Sequence, residues 1–344
     1  MINFNFYTYS DEQIKQRHNS KMLYQTYLQA LHDYNLQYRY KMVWQKHKGG
    51  YELLAKHHLR TNKREYLGRR DEQTEKILSD FSLSKTRAKE VLANLKEKLK
   101  KDAKLNKLEG IARTPNEIVK LFRKINELGL DDKLIIIGTN SLYAYEARAG
   151  IAIDEAYLAT DDIDILNRKE KGLSFLFKEL MSPTKAIDFL HLIDKSFYQD
   201  SKKPYRFINK DAVWIELINP LSNDITFSVH KENLFTDLLS LDMKGMQWLE
   251  NSRLFKETII ATNGQSANIA TIHPLEYAIY KNWLSKQKDR DFQKQQRDKH
   301  QSKLVTKIII EYMPNIEINE ELKVLKHLKK EIIDAYREEI VNLS

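Results

Sequence analysis

Cysteine is absent from this 344-residue chain, which excludes disulfides, thiolate zinc sites and cysteine nucleophiles and fits a reducing compartment. Any metal must then be held by oxygen or nitrogen. The ten histidines add little, because they are scattered and none forms the i, i+4 pair of a helical zinc site. Also lacking is any apolar run long enough to span a bilayer, and Met1-Ile2-Asn3-Phe4-Asn5 has no basic-then-apolar layout of a secretion signal. The expectation is a cytoplasmic protein with no membrane partner. Internal repeats, heptads and low-complexity segments are missing too. What the chain has in excess is positive charge. A net charge of +9 and a pI near 9.2 favour polyanionic partners, polyphosphate or RNA before an acidic protein.

The length allows a large core and two or three structural units. Their centre is Lys133 to Leu166. Leu134-Ile135-Ile136-Ile137 predicts a strand covered on both faces, and Gly138-Thr139-Asn140-Ser141 a tight turn into a helix whose first amides face outward, suited to phosphate. In Thr160-Asp161-Asp162-Ile163-Asp164-Ile165-Leu166 the strand period sends Asp162 and Asp164 to one face while Ile163 and Ile165 enter the core. Two adjacent carboxylates repel unless a cation lies between them, and hard oxygen ligands suit Mg²⁺. Either half alone is ordinarily a plain turn or a solvated strand end. In this order they point to phosphoryl or nucleotidyl transfer.

Upstream, Ser10 to about Tyr40 is helical, with Tyr24, Tyr27, Leu28 and Leu31 as core residues. Val43 to Leu67 predicts a β-hairpin or small meander, with a Lys48-Gly49-Gly50 turn and basic residues including Lys46, Arg60, Arg64 and Arg69. It could clamp a nucleic-acid backbone, or be a solvated edge whose lysines discourage aggregation. Asp71 to Gly110 predicts a charged helix whose Lys96–Lys107 run reads as its wet face. Thr114-Pro115-Asn116-Glu117 predicts the next helix start, with Thr114 as cap.

Downstream, Gly172 to Met181 predicts a helix, Ala186 to Ile193 a strand or short helix, and Ala212 to Pro220 a strand. In that last strand Glu216 faces away from Ile215 and Leu217. A carboxylate there is costly unless paired or ligated, so Glu216 is expected either to complete a metal triad with the two aspartates or to face solvent or pair with Arg206. Asp237 to Glu250 predicts a helical segment, Phe255 to Ile272 two short strands around Asn263-Gly264, and Pro274 onward helix broken at Pro314. Lys294, Arg297, Asp298 and Gln301 share one helical face, with Lys281 upstream. Lys281 and Lys294 are the candidate triphosphate ligands, a solvated basic helix being the alternative.

These residues carry a resemblance. Gly138 to Glu146 (Gly-Thr-Asn-Ser-Leu-Tyr-Ala-Tyr-Glu), Ala149-Gly150 and Ala159 to Leu166 closely resemble an uncharacterised bacterial family of nucleotidyltransferase-fold proteins in the DNA-polymerase-β-like superfamily. Tyr66-Leu67-Gly68-Arg69, Ile218-Asn219-Pro220, Trp248-Leu249 and Lys294…Arg297-Asp298…Gln301 look like its flanking motifs. The resemblance implies an α/β (α+β) fold: a mixed sheet with helices, plus helical N- and C-terminal regions. Residues 1–113 would form the helical N-terminal region with its basic hairpin at about 43–68, 114–235 the catalytic core, and 236–344 the helical C-terminal region with a short hairpin.

For the site it implies Gly138, Thr139, Asn140 and Ser141 near the phosphates. Asp162 and Asp164 match the metal-binding pair, and Glu216 falls where a third carboxylate, commonly Asp, is supplied. Mg²⁺ or Mn²⁺ would be the metal and an NTP the substrate. The expected activity is transfer of a nucleoside monophosphate to an acceptor, tRNA being the first to test. Similar folds occur in bacterial toxins of toxin-antitoxin and abortive-infection systems, which would make an antitoxin a partner. The alternative is a non-catalytic nucleotide- or RNA-binding module on the same fold.

Overall fold

The computed structural model describes residues 4–59, 61, 63–160, 162–168, 185–220, 240–241, 245–325 and 328–341. Asp161, Arg60, the helix expected at Gly172 to Met181 and most of Asp237 to Lys244 lie outside the described residues.

The chain opens with a short strand, β1 (Phe6–Thr8), and a long helix, α1 (Asp11–Gln37). Three strands follow, β2 (Tyr40–Lys46), β3 (Glu52–His58) and β4 (Arg64–Arg69), then α2 (Glu72–Leu108) and α3 (Asn116–Glu127). The segment expected as a hairpin or small meander is thus a three-stranded antiparallel sheet, running from Tyr40 to Arg69. Both long helices start on reciprocal caps. Ser10 and Gln13 exchange side-chain and backbone hydrogen bonds at α1, and Asp71 and Thr74 do so at α2, satisfying first-turn amides that have no intrahelical partner.

The antiparallel α1–α2 pair is keyed by a polar cluster. Gln16 donates to Asp102 and Asn106 at 2.9 and 2.8 Å, Ser20 donates to Asn106 at 2.7 Å, and Asn106 donates on to the carbonyl of Gly264 at 2.9 Å. Thr114 does not cap α3. Its N–H donates to Ile260 and its carbonyl accepts from Thr262, so it forms a bridge to Ala261, and the helix begins at Asn116 with no side-chain cap.

The central part continues with β5 (Leu134–Ile137), α4 (Leu142–Ala149), β6 (Ile151–Ile153), α5 (Glu155–Leu158) and β7 (Asp162–Asn167). Next come α6 (Ala186–His191), β8 (Tyr198–Gln199), β9 (Arg206–Ile208), β10 (Trp214–Pro220) and β11 (Ser240–Leu241). The sheet order is β5-β7-β10-β9-β8, with β11 beside β10. It is mixed: β7 and β10 run parallel, while β5–β7, β10–β9 and β9–β8 are antiparallel. The strand β1 pairs with β6, an edge contact that three residues gave no local signal for.

The chain closes with α7 (Met246–Asn251), the hairpin β12 (Leu254–Ile260) and β13 (Ser266–Ile272), then α8 (Pro274–Ser285), α9 (Phe292–Tyr312), α10 (Ile318–Val324) and α11 (Lys330–Val341). The fold is therefore α+β around a mixed sheet. One contiguous apolar cluster runs from Tyr24 and Leu92 of the first two long helices through β5, β7 and β10 to Tyr336. No helix among the described residues is long and apolar enough to cross a membrane.

Candidate active site

The four aliphatics of β5 are fully enclosed, so the chain must turn sharply where they end. Gly138 makes that turn at φ +73, and a Cβ there would lie 2.7 Å from Oδ2 of Asp164. Glycine is thus required twice over, by the backbone angle and by the approach of the carboxylate. A short 3₁₀ turn, Thr139–Ser141, leads into α4.

On β7, Ile163 and Ile165 are buried and Asp162 and Asp164 share the opposite face. Asp162 is held at both ends. Its Oδ1 accepts from Thr160 at 2.5 Å, and its carbonyl accepts from the Asn140 amide at 2.8 Å. The carboxyl of Asp164 is pushed up to about 7, first by burial and then by the charges of Asp162 and Glu216, with Lys281 and Arg297 acting the other way. The parallel pairing puts Glu216 of β10 level with Asp164. Glu216 also faces Arg206 on the antiparallel neighbour β9 and accepts from its Nε and Nη2 at 2.9 and 2.5 Å, while the guanidinium lies over the Trp214 ring.

The remaining expected residues divide. Thr139 is at the cleft and accepts from Gln301 at 3.0 Å, Gln301 in turn accepting from the hydroxyl of Tyr277 at 3.1 Å. Ser141 is turned into the core, where its hydroxyl accepts from Thr271 at 2.8 Å. Lys281 borders the cleft, buried, with its ammonium 2.8 Å from Asp298, which Arg290 also contacts. Burial holds the Lys281 ammonium below the usual lysine range, partly offset by Asp298. Lys294 is exposed at the first turn of α9 and does not line the cleft.

Arg290, Arg297 and Tyr280 do line it, and none was singled out as a ligand from sequence. Arg297 sits in the quoted Lys294…Gln301 motif. Arg290 lies in the α8–α9 connection and gave no signal, since only the helix–helix turn brings it to Asp298.

Two cavities meet at Asp162. One, of about 110 Å³, lies among Gly138, Thr139, Asp164, Lys281, Arg290 and Arg297. The other, of about 300 Å³, lies among Glu117, Asn140, Thr160, Val213 and Trp214. One side is thus cationic and the other carries an aromatic wall, with the carboxylates between. Among the described residues no group of three His, Asp or Glu side chains is placed to hold a metal ion. The fit of the donors is to a two-carboxylate site: Asp162 and Asp164 crowd each other in a part-buried setting, and a hard divalent ion completed by substrate oxygens would relieve that repulsion.

No curated protein and no solved structure matches the chain. A family model described as nucleotidyltransferase matches residues 116–324, more than half of the chain and every residue lining the two cavities except Pro115. The chain belongs to this nucleotidyltransferase family.

Proposed function

We propose that the protein moves a nucleoside monophosphate from an NTP to a hydroxyl acceptor, as an enzyme of the DNA-polymerase-β-like superfamily. The observation that carries this reading is that Asp162 lines both cavities. The triphosphate lies against Arg290, Arg297 and Lys281, with the Gly138–Thr139 turn close to its oxygens. The acceptor hydroxyl enters from the Trp214 side. Its oxygen bonds to the α-phosphorus, the bond from that phosphorus to the bridging oxygen breaks, pyrophosphate leaves, and the hydroxyl proton passes to the carboxylate of Asp162. Asp162 and Asp164 would hold Mg²⁺ or Mn²⁺, which when bound polarises phosphoryl oxygens and offsets charge on the leaving group. Glu216, engaged by Arg206, acts one step out, fixing the guanidinium that lies over the Trp214 ring of the acceptor cavity.

The test is incubation with α-labelled NTPs, Mg²⁺ and total RNA or cell lysate. Label should enter an acceptor and fail to do so with EDTA or with the Asp162→Asn/Asp164→Asn double variant. No labelled product with any NTP would sink the reading. A tRNA acceptor and a toxin role, with an antitoxin as partner, predict labelled tRNA and growth arrest on expression of the wild type alone.

A second reading, a nucleotide-sensing module without chemistry, draws on one observation: Glu216 is already satisfied by Arg206. Tight, Mg²⁺-independent nucleotide binding with no product would favour it.

A further inference from the structure

Lys85, Lys89, Lys96, Lys100, Lys104 and Lys107 of α2 recur at three-, four- and seven-residue spacing, so they form one row beside the buried stripe of Leu92, Leu95, Asp102 and Asn106. At a rise of about 1.5 Å per residue the row is roughly 33 Å long. Its last four members wall a groove of about 560 Å³ whose far side is Arg123 and Gln265.

Among the described residues the charge in this groove is not answered. Lys96, Lys104 and Lys107 form no ion pair among the described residues, and Lys100 meets only the exposed Glu97 beside it. The one acid lining the groove, Glu127, is already taken by Lys124 at 2.7 Å. Asp102, on the same helix, is buried against Gln16 and Ser20 instead. Lysines stacked at i, i+4 repel one another and cost helix stability. A row of this length opposite an arginine matches a chain of evenly spaced negative charges, not a single small anion.

The groove also leads somewhere. At its rim the N–H of Asn263 donates to the side chain of Asn116 at 3.0 Å. Asn116 lies between Pro115 and Glu117, which line the acceptor cavity beside Asp162. From Arg123 back to Glu117 is roughly 9 Å along α3. A strand in the groove that passes over the start of α3 therefore brings its end toward the carboxylates within a few nucleotides.

We propose that this groove binds single-stranded RNA and presents its end to Asp162. Binding stands on the groove alone, whereas the presented end as acceptor rests on the transfer reading above.

The test uses the full-length protein and a fluorescein-labelled RNA of roughly 20 nucleotides, followed by anisotropy across a salt series. The variant replaces Lys96, Lys100, Lys104 and Lys107 with Gln, which keeps helix propensity, and its circular dichroism and melting are compared with wild type. The wild type should bind, and the variant should bind about a hundredfold more weakly at low salt, with a log–log salt slope shallower by about 3. Equal affinity and slope in a folded variant would overturn the proposal. So would a wild type that ignores RNA but binds phosphatidylserine vesicles or an acidic peptide through the same lysines. RNA binding lost in the variant, with no transfer to any acceptor by the wild type, would retain the groove and remove only the transfer reading. Transfer to RNA that the variant performs unchanged would do the reverse.

Discussion

Glu216 stands level with Asp164 across the parallel pairing of β7 and β10, yet its carboxylate accepts both hydrogen bonds of Arg206 from the other side. The ion pair is mostly buried, so removing one member leaves a charge without a partner. Arg206→Met should therefore destabilise the fold by about 1–3 kcal/mol. Glu216→Gln should cost less, and the double variant should recover part of the loss. Urea midpoints for the four proteins measure this coupling. Additive effects would show that the pair does not act as a unit.

The aspartates behave oppositely. Burial and two neighbouring carboxylates disfavour the charge on Asp164. Asp164→Asn removes that conflict while keeping the shape, so the metal-free protein should gain about 1 kcal/mol in unfolding free energy. Turnover should fall at least about a hundredfold in the same variant. A thermal melt in EDTA and a label-transfer assay check the two halves. Lower stability with retained turnover would contradict both.

Gly138 separates backbone strain from site geometry. Alanine there meets a φ of +73 and places a methyl 2.7 Å from Asp164, whereas alanine at Gly150 meets a φ of +66 with nothing within 4 Å. Each substitution should cost about 1–2 kcal/mol from the backbone angle. Only Gly138→Ala should also lower turnover, by displacing the carboxylate. Comparing the two variants at matched fractions folded isolates that effect.

His273 sets a pH dependence of stability. It precedes α8, and burial, aided by Arg253, lowers its pKa from 6.5 to about 4, against the pull of Glu276 and Glu321. The unfolded chain takes up the proton as pH falls through 6.5 and the folded protein resists until about 4, so the unfolded state holds more protons in that window. The contribution is intact above pH 6.5 and is lost progressively toward 4. His273→Gln should remove about 1–2 kcal/mol of the stability difference between neutral pH and about pH 5. Guanidinium titrations of both proteins at the two pH values test it.

What the residues disclose in advance is what local periodicity can carry. Leu134 to Ile137 and the alternation through Asp162 and Asp164 specify their own strands, and the turn at Gly138 follows from them. Glu216 was visible as a misplaced carboxylate, but whether it served a metal or Arg206 depended on the register of a strand as short as β9. Ser141 looked like part of the phosphate turn and is turned inward because Thr271, more than a hundred residues away in sequence, takes its hydroxyl. Thr114 had the residue type of a cap, and a bridge to Ala261 claimed its backbone first. Arg290 reaches the cleft only because two helices fold back on each other at Asp298. Ser141 and Thr114 were claimed by partners distant in sequence, and Glu216 and Arg290 by turns of the chain that leave no periodic trace.

The polar cluster that keys α1 to α2 bears on how the molecule can move. Two long helices with a purely greasy seam could slide past each other by a turn at little expense, but any such slip would strand Asp102 and Asn106 away from Gln16, Ser20 and the Gly264 carbonyl. The helix pair is consequently a bracket and not a tether: its register is set, and a pull on either helix reaches the turn between β12 and β13 through Gly264.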